Sequence, residues 1–372
     1  MTLIASEQLR ERIDALDAVR VLRSASAGER LFLVGGAVRD LLLGAAAPGD
    51  LDVAVDGDVE ALAARLGVAD ATHERFGTAS VQVGMTRVDL ARTRTESYSQ
   101  PGALPDVAPA RIEEDLARRD FTINAIAVPL DGSHAIIDPH SGTTDLGAGL
   151  IRVLHGDSFR DDPTRALRAA RYCARLGFKL EPETGKLMAA ADLEGVSADR
   201  RDQELLRIAE EPAAAAGFAL LAEWGLASVD AGAAQRVQAS LDVLAESEWA
   251  GVAERAQVAL AAAIPDPALE AGILRLASAR PALPSEAVSL IRGRSGVELV
   301  LARAAGGAWL DRVMAEWGAV RLEISGSDLI AAGVPEGPAI GRALDAALVA
   351  KLDGRASGHD QELAVALRAA AS

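Results

Sequence analysis

An α/β or α+β head followed by an all-helical remainder is the organisation this sequence predicts. Three observations predict it. Strand-like and helix-like stretches alternate up to about residue 150. From Phe159 onward the apolar spacing turns helical and stays so. Between residues 31 and 55, LFLVGGAVRDLLLGAAAPGDLDVAV, a strand, a glycine break, a short helix and a second strand follow at close quarters.

That stretch organises the chain. Leu31 to Val34 form an apolar strand. Gly35 and Gly36 interrupt it, and Ala37 to Leu43 form a helix ended by Gly44. The glycines let a polyphosphate approach the backbone, and a helix N-terminus offers free N–H groups and partial positive charge. In the strand Asp50 to Val55, side chains alternate, so Asp50 and Asp52 share a face. Two carboxylates beside a phosphate cradle suit divalent-metal phosphoryl or nucleotidyl transfer. The G-x-G-x-x-G spacing is absent and no Gly-Lys-Ser/Thr follows, so neither the dinucleotide fingerprint nor the P-loop applies.

Around this stretch the elements follow in order. Residues 7–23 read as one amphipathic helix, Val59 to Leu66 as another. Ala79 to Val83 and Arg87 to Ala91 alternate as strands. Asp89 is flanked by apolar residues, and a buried carboxylate there needs a partner, either a shared metal or an arginine. Residues 93–115, rich in Pro, Gly and Ser, read as a long loop of lid type. Arg118, Arg119, Asp120 and Asn124 cluster at what reads as a helix start. Forked guanidinium donors suit phosphate and an acid or amide suits ribose, while a capped helix with solvated charges is the plainer alternative. Asp138 and Asp145 read as turn and cap residues. Asp161, Asp162 and Pro163 open a helix on which Asp162 and Arg165, three apart, share a face, with Arg168, Arg171 and Arg175 continuing the series. Arg171 and Arg175 read as a solvated face.

Composition narrows the classes. Half of the 372 residues are hydrophobic, aromatics are 3% and the net charge is −16, which argues against base-stacking modules and a generic nucleic-acid binder. Residues 1–150 hold 14 basic and 23 acidic residues, but 151–211 hold 11 and 12, so acidity thins where an RNA groove would be needed. A lone cysteine, Cys173, excludes an intrachain disulfide, and no disulfide-linked partner is expected. The charged N-terminus does not read as a signal peptide and no apolar run reaches about 18 residues, so a cytoplasmic chain without a membrane partner is expected.

The motifs VGGAVRDLLLG, DLDVAV, RRDFTINAIA, FRDDPTRALRAARYCARLGF and the segment DRRDQELLRI, in this order, resemble the class II CCA-adding tRNA nucleotidyltransferases, with bacterial poly(A) polymerases as near relatives. The resemblance is strong over about residues 30–210 and weaker to the end. It implies an α+β fold: a nucleotidyltransferase-type catalytic head with a mixed sheet at 1–150, then a helical neck at 151–212, body at 213–320 and tail at 321–372 that contacts tRNA. By position, it implies that Gly35, Gly36 and Arg39 hold the triphosphate. Asp50 and Asp52 become the catalytic ligands of two Mg²⁺ ions, with Asp89 a third candidate. Arg118, Arg119, Asp120 and Asn124 contact ribose and phosphates, Asp162 and Arg165 select the base, and Arg168 joins the nucleotide site. The implied partners are CTP, ATP and the tRNA 3′ end.

Some stretches depart from the family pattern. Asp161 stands where glutamate is more common, and the lid segment SQPGALPDV lacks the arginines often found there. RFGTASVQV at 75–83 looks like the CCA-adding version, not the basic stretch of poly(A) polymerases. Rival readings are a CC-adding or A-adding partial enzyme, a poly(A) polymerase, and a non-catalytic tRNA-binding paralogue.

Overall fold

Four consecutive apolar residues, Leu31 to Val34, are buried, as expected of a strand covered on both faces. They form β1 (Arg30–Val34), one strand in from the edge of a six-stranded sheet. The computed structural model describes residues 2–67, 69–73, 77–97, 105–133 and 135–371, with the backbone alone for 69–73 and 190. The chain divides into two units, Met1–Arg207 with Glu211–Ala213, and Ile208–Glu210 with Ala214–Ser372.

In the first unit, α1 (Ser6–Ala15) and α2 (Asp17–Ala25) precede β1. One helix was expected over 7–23. The extended backbone of Leu16 divides it, and Arg23 Nη1 ties the two parts by donating to Asp14 Oδ1 at 2.6 Å. Then come α3 (Gly35–Leu42), β2 (Asp50–Asp56), α4 (Val59–Leu66), β3 (Ala69–His73), β4 (Thr78–Val83) and β5 (Thr86–Arg92). The expected loop at 93–115 is largely ordered. It holds the antiparallel pair β6 (Arg94–Ser97) and β7 (Asp106–Pro109) and the start of α5 (Ile112–Ala117). Residues 98–104, most of the lid segment, lie outside the described residues, as do 75 and 76 of RFGTASVQV.

After α5 the chain runs through a 3-10 turn at Thr122–Asn124 into β8 (Ala127–Pro129), α6 (Gly142–Ala148) and β9 (Leu150–Ile151). The sheet order is β3-β4-β5-β2-β1-β8, with β2 and β5 parallel and the other pairs antiparallel. This is a mixed sheet, as the resemblance implied. Phe32, Val34 and Ala54 pack on Ile112 and Leu116 of α5. Next are α7 (Ser158–Asp161), α8 (Thr164–Leu176), β10 (Lys179–Leu180), α9 (Pro182–Leu187) and α10 (Ala198–Glu210). The all-helical expectation after Phe159 misses β10, which pairs in parallel with β9 and is too short to leave a periodic signal.

The second unit is helical: α11 (Ala214–Glu223), α12 (Ala233–Leu244), α13 (Arg255–Ala263), α14 (Pro267–Ser278), α15 (Pro284–Ile291), α16 (Gly296–Ala304), α17 (Trp309–Ala315), α18 (Gly326–Ala331), α19 (Pro338–Leu352) and α20 (His359–Ala370). Ser325 caps α18 in exchange with Asp328. Leu329, Ala343, Ala347 and Ala366 form the buried contact of the last three helices. Among the described residues no helix is long and apolar enough to cross a membrane.

Gly142 lies against the 3-10 turn. A Cβ there would sit 2.0 Å from the Thr122 carbonyl oxygen, and backbone cannot yield as a side chain can. Gly142→Ala should therefore lower stability by about 2 kcal/mol or more. Gly341, exposed within α19 with nothing near its Cβ position, should gain up to about 1 kcal/mol on replacement by alanine. Urea unfolding of both variants checks the pair.

Candidate functional site

Ten of the residues singled out in the sequence line one cleft of about 300 Å³ in the first unit, and Asp50 and Asp89 are not among its lining residues. Its walls include Gly35, Gly36, Asp52, Arg118, Arg119, Asp120, Asn124, Asp162, Arg165 and Arg168. One end is built on the turn from β1 into α3. Gly35 has φ +64°, and a Cβ on it would stand 3.1 Å from Arg119 Nη1 and 3.3 Å from Asp52 Oδ2. Only glycine fits both the backbone and the space. Arg39 is not on the wall. It is buried beneath Gly36, with Nε donating to Asp40 (2.8 Å) and Nη1 to Asn124 Oδ1 (2.8 Å). Burial disfavours its charge, but Asp40 holds its pKa above the ordinary value.

Asp50 and Asp52 project from β2 on the face opposite Leu51 and Val53, and among the described residues neither accepts a hydrogen bond. Asp52 pairs in register with Asp89 of the parallel neighbour β5. Asp89 is not buried as expected: its side chain is 40% exposed, beside the exposed Asp52 with which it pairs across the sheet. Its Oδ1 accepts from Ser80 and, at 3.2 Å, from Arg87 Nε, so the arginine partnership is the one seen.

Arg118 and Arg119 do not open a helix. They follow the end of α5, and Asn124 closes the 3-10 turn. Both arginines are held by Asp115, one turn earlier on α5. Its Oδ1 accepts from Arg118 (2.7 and 3.0 Å) and its Oδ2 from Arg119 Nη2 (2.9 Å). Arg118 also donates to Glu96 Oε1 (2.8 Å) and the Arg94 carbonyl (3.1 Å), so it binds the root of the β6–β7 pair. Arg119 Nε is buried, and among the described residues it has no hydrogen-bond partner. Asp120 is fully engaged: Oδ2 takes Arg168 Nε (2.9 Å) and Nη2 (2.6 Å), and Oδ1 takes Phe121 N (2.8 Å) and Asn124 Nδ2 (3.0 Å).

At the other end, Asp162 stands in extended conformation between α7 and α8, outside the helix it was expected to begin. The reason is local: its Oδ1 accepts from Thr164 N (3.0 Å) and Oγ1 (2.6 Å), an Asx-type turn that competes with helix. Arg200 Nη2 of α10 adds a third bond to the same oxygen (2.9 Å). Arg165 is buried on α8, with Nη1 donating to Ser158 Oγ (2.6 Å) and Nη2 to the Arg118 carbonyl (2.8 Å). Both groups are thus fixed, while among the described residues Asp162 Oδ2 accepts no hydrogen bond. Asp161 closes α7 and faces His155 at 4.0 Å, off the cleft wall. Arg171 and Arg175 are not a free solvated face, since Arg171 meets Glu204 and Glu211, and Arg175 meets Asp40 and Glu211. Asp138 caps α6 through Gly142 N and Thr143 N, as read, but Asp145 is buried against Thr122 and Arg152.

The charges sort into two kinds. Burial penalises the Asp120 carboxylate, but Arg168, Asn124 and Arg165 hold it down at about 2. Asp115 is likewise held low against burial by Arg119 and Arg118. Asp52 goes the other way. Partial burial, with Asp89 and Asp50 nearby, lifts its carboxyl above the ordinary range despite Arg119 and Arg39. Like charges gathered with only partial compensation from arginines fit a divalent cation. Among the described residues no three Asp, Glu, His or Cys side chains form a closed metal cage. The donor set Asp50 and Asp52 suits an ion such as Mg²⁺ that keeps waters and takes phosphate oxygens.

Several wall or supporting residues were missed: Glu96, Asp115, Ser158, Tyr172 and Arg200. Asp115 precedes Arg118 and Arg119 by three and four positions, and Tyr172 follows Arg165 by seven, so helical spacing carried those two. Glu96, Ser158 and Arg200 left no local signal.

Residues 31–152 match the Poly A polymerase head domain family. The A-adding tRNA nucleotidyltransferase of Halalkalibacterium halodurans is 41% identical over 204 residues, 51% of this chain and 48% of that protein. The CC-adding tRNA nucleotidyltransferase of Deinococcus radiodurans is 34% identical over 360 residues, 93% of this chain and 91% of that protein. The chain spans less than half the length of the first three A-adding relatives (48%, 20% and 45%). Among solved structures, the Thermotoga maritima CCA-adding enzyme complexed with tRNA superposes with a TM-score of 0.77 over 99% of both chains, at 27% identity.

The low pKa of Asp120 makes a stability prediction. Its contribution is present above the ordinary value of 3.8 and lost as pH falls through about 2. Asp120→Asn should cost about 3–5 kcal/mol at pH 7 by stranding Arg168, and the gap from wild type should narrow between pH 4 and 2, read by urea unfolding across pH.

Proposed function

Because the chain belongs to the tRNA nucleotidyltransferase family, we propose that it adds C and A to the tRNA 3′ end from CTP and ATP, with Mg²⁺ as the metal. The observation that carries this reading is the pair Asp162 and Arg165, both locked by neighbours at one end of the cleft whose other end holds Gly35, Asp52 and Arg119. On the pairing edge, cytosine and adenine each show an amino donor beside a ring-nitrogen acceptor. Uracil and guanine show the reverse. A carboxylate with a guanidinium accepts from the amino group and donates to the ring nitrogen, and leaves buried groups unpaired against U and G. One rigid pair thus serves two bases.

The tRNA 3′-hydroxyl attacks the α-phosphorus in line, a P–O bond forms, and pyrophosphate leaves with its bonding electrons. Asp50 and Asp52 would hold the cation, which would supply Lewis-acid chemistry at the attacking hydroxyl and the departing phosphates. Arg119, oriented by Asp115, places fixed positive charge beside Gly35 where phosphate charge collects. Asp120 and Asn124 act by positioning Arg168 and Arg39.

Addition of A alone is the second reading, favoured by the likeness to the A-adding relatives. Incubation with tRNAs ending at the discriminator base, at C or at CC, with each nucleotide in turn, separates the two. Addition of C to the first two substrates and of A to the third is expected. Incorporation of A only, on CC ends or on generic RNA, rejects the first reading. Asp50→Ala with Asp52→Ala should abolish incorporation and leave tRNA binding intact. Asp162→Ala or Arg165→Ala should erode discrimination against U and G by about 10- to 100-fold in single-turnover assays.

A further inference from the structure

Tyr172 belongs to no motif used so far, yet it lines the cleft and is only 8% exposed. Arg165, Arg168 and Tyr172 are spaced three and four apart on α8, so one helix face carries all three. From Arg165 to Tyr172 that face advances about 10 Å, away from the base end. Tyr172 arrives beside Arg39, whose Cζ lies 5.1 Å from the ring centroid, and Arg39 in turn underlies Gly36. Arg171 covers the ring as well at 5.0 Å, and Phe121 packs edge-on at 5.9 Å and 86°. The ring is therefore fixed in place between the base end and the phosphate end.

The polar groups of that middle region differ in what they have left to give. Both oxygens of Asp120 are taken by Arg168, Asn124 and the Phe121 amide. Asn124 Oδ1 is taken by Arg39. The Tyr172 hydroxyl accepts from Arg171 Nη2 at 3.2 Å, and among the described residues no acceptor meets its own proton. Its close neighbours are guanidinium groups, which only donate. A hydroxyl with an unplaced proton, on a buried residue that lines a cleft, can take an acceptor from the ligand.

We infer that Tyr172 is a sugar-recognition residue, its hydroxyl donating to a ribose hydroxyl oxygen of the incoming nucleotide. The inference rests on the reading of the cleft as a nucleotide site and adds to it a means of preferring ribonucleotides. Tyr172 donates only to an oxygen that a deoxynucleotide lacks. Phenylalanine at this position keeps the ring, its stacking with Arg39 and Arg171 and its packing on Phe121, and removes the hydroxyl, both the donor and the acceptor of the Arg171 bond.

Calorimetric titration of the full chain in Mg²⁺ with CTP, 2′-deoxy-CTP and 3′-deoxy-CTP tests it. Wild type should bind CTP more tightly than one of the two deoxy analogues. Tyr172→Phe should lose about 3- to 10-fold in CTP affinity and bind that analogue unchanged, so that the preference disappears. 4-Aminophenylalanine at position 172, which restores an N–H donor, should recover the preference, and it serves if the phenylalanine variant folds poorly. Equal weakening of all three nucleotides by Tyr172→Phe, or unchanged CTP binding, overturns the role of Tyr172 and leaves the cleft assignment standing. Absence of CTP binding by the wild type overturns both.

Discussion

The ion pair between Asp120 and Arg168 is the constraint on which the rest of the cleft depends. It joins the turn after α5 to the helix α8. From Asp120 the connection passes to Asn124, from Asn124 to Arg39, and from Arg39 to the underside of Gly36 and the face of Tyr172. The chain of bonds therefore runs from the base-end helix to the glycine turn without a break. Burial makes such a pair costly unless every lone pair is used, and here all four contacts of the Asp120 carboxylate are supplied. A fixed wall follows, and it is what the proposed base-selecting role requires, since on that reading Asp162 and Arg165 would discriminate only if they could not turn to satisfy the wrong base.

Carboxylates in this cleft do two kinds of work, and their partners tell them apart. Asp115 and Asp120 are compensated by arginines and stay ionised below the ordinary range. They hold other residues in place. Asp52, crowded by Asp50 and Asp89, is shifted the opposite way. It carries negative charge that Arg119 and Arg39 offset only in part, a condition that favours a cation with phosphate ligands. Arg119 lies between the two regimes, bound by Asp115 on one side and acting on Asp52 on the other.

Much of this was legible in the sequence. The Leu31–Val34 run, the glycine turn and the alternation through Asp50 and Asp52 are local patterns, and they became β1, α3 and β2 nearly as read. The cleft wall was legible wherever a local spacing expressed it, as in Arg165 and Arg168 of α8. What was not legible is contact between distant segments. Arg200 reaches Asp162 across 38 positions and Glu96 reaches Arg118 across 22, and no periodicity encodes either bond. Nor could spacing show that Arg39 lies beneath the wall, because an arginine on a short helix gives the same pattern facing in or out. The 93–115 stretch misled through composition: Pro, Gly and Ser marked its turns but hid the short strands between them.

The account stands or falls on where a cation and a nucleotide settle. Anomalous diffraction from crystals of the protein soaked with CTP and Mn²⁺ measures this directly. The account predicts a metal peak within about 2.5 Å of carboxylate oxygens of both Asp50 and Asp52, with the cytosine edge against Asp162 and Arg165. A metal peak away from that pair, or a base lodged outside the cleft, would contradict it.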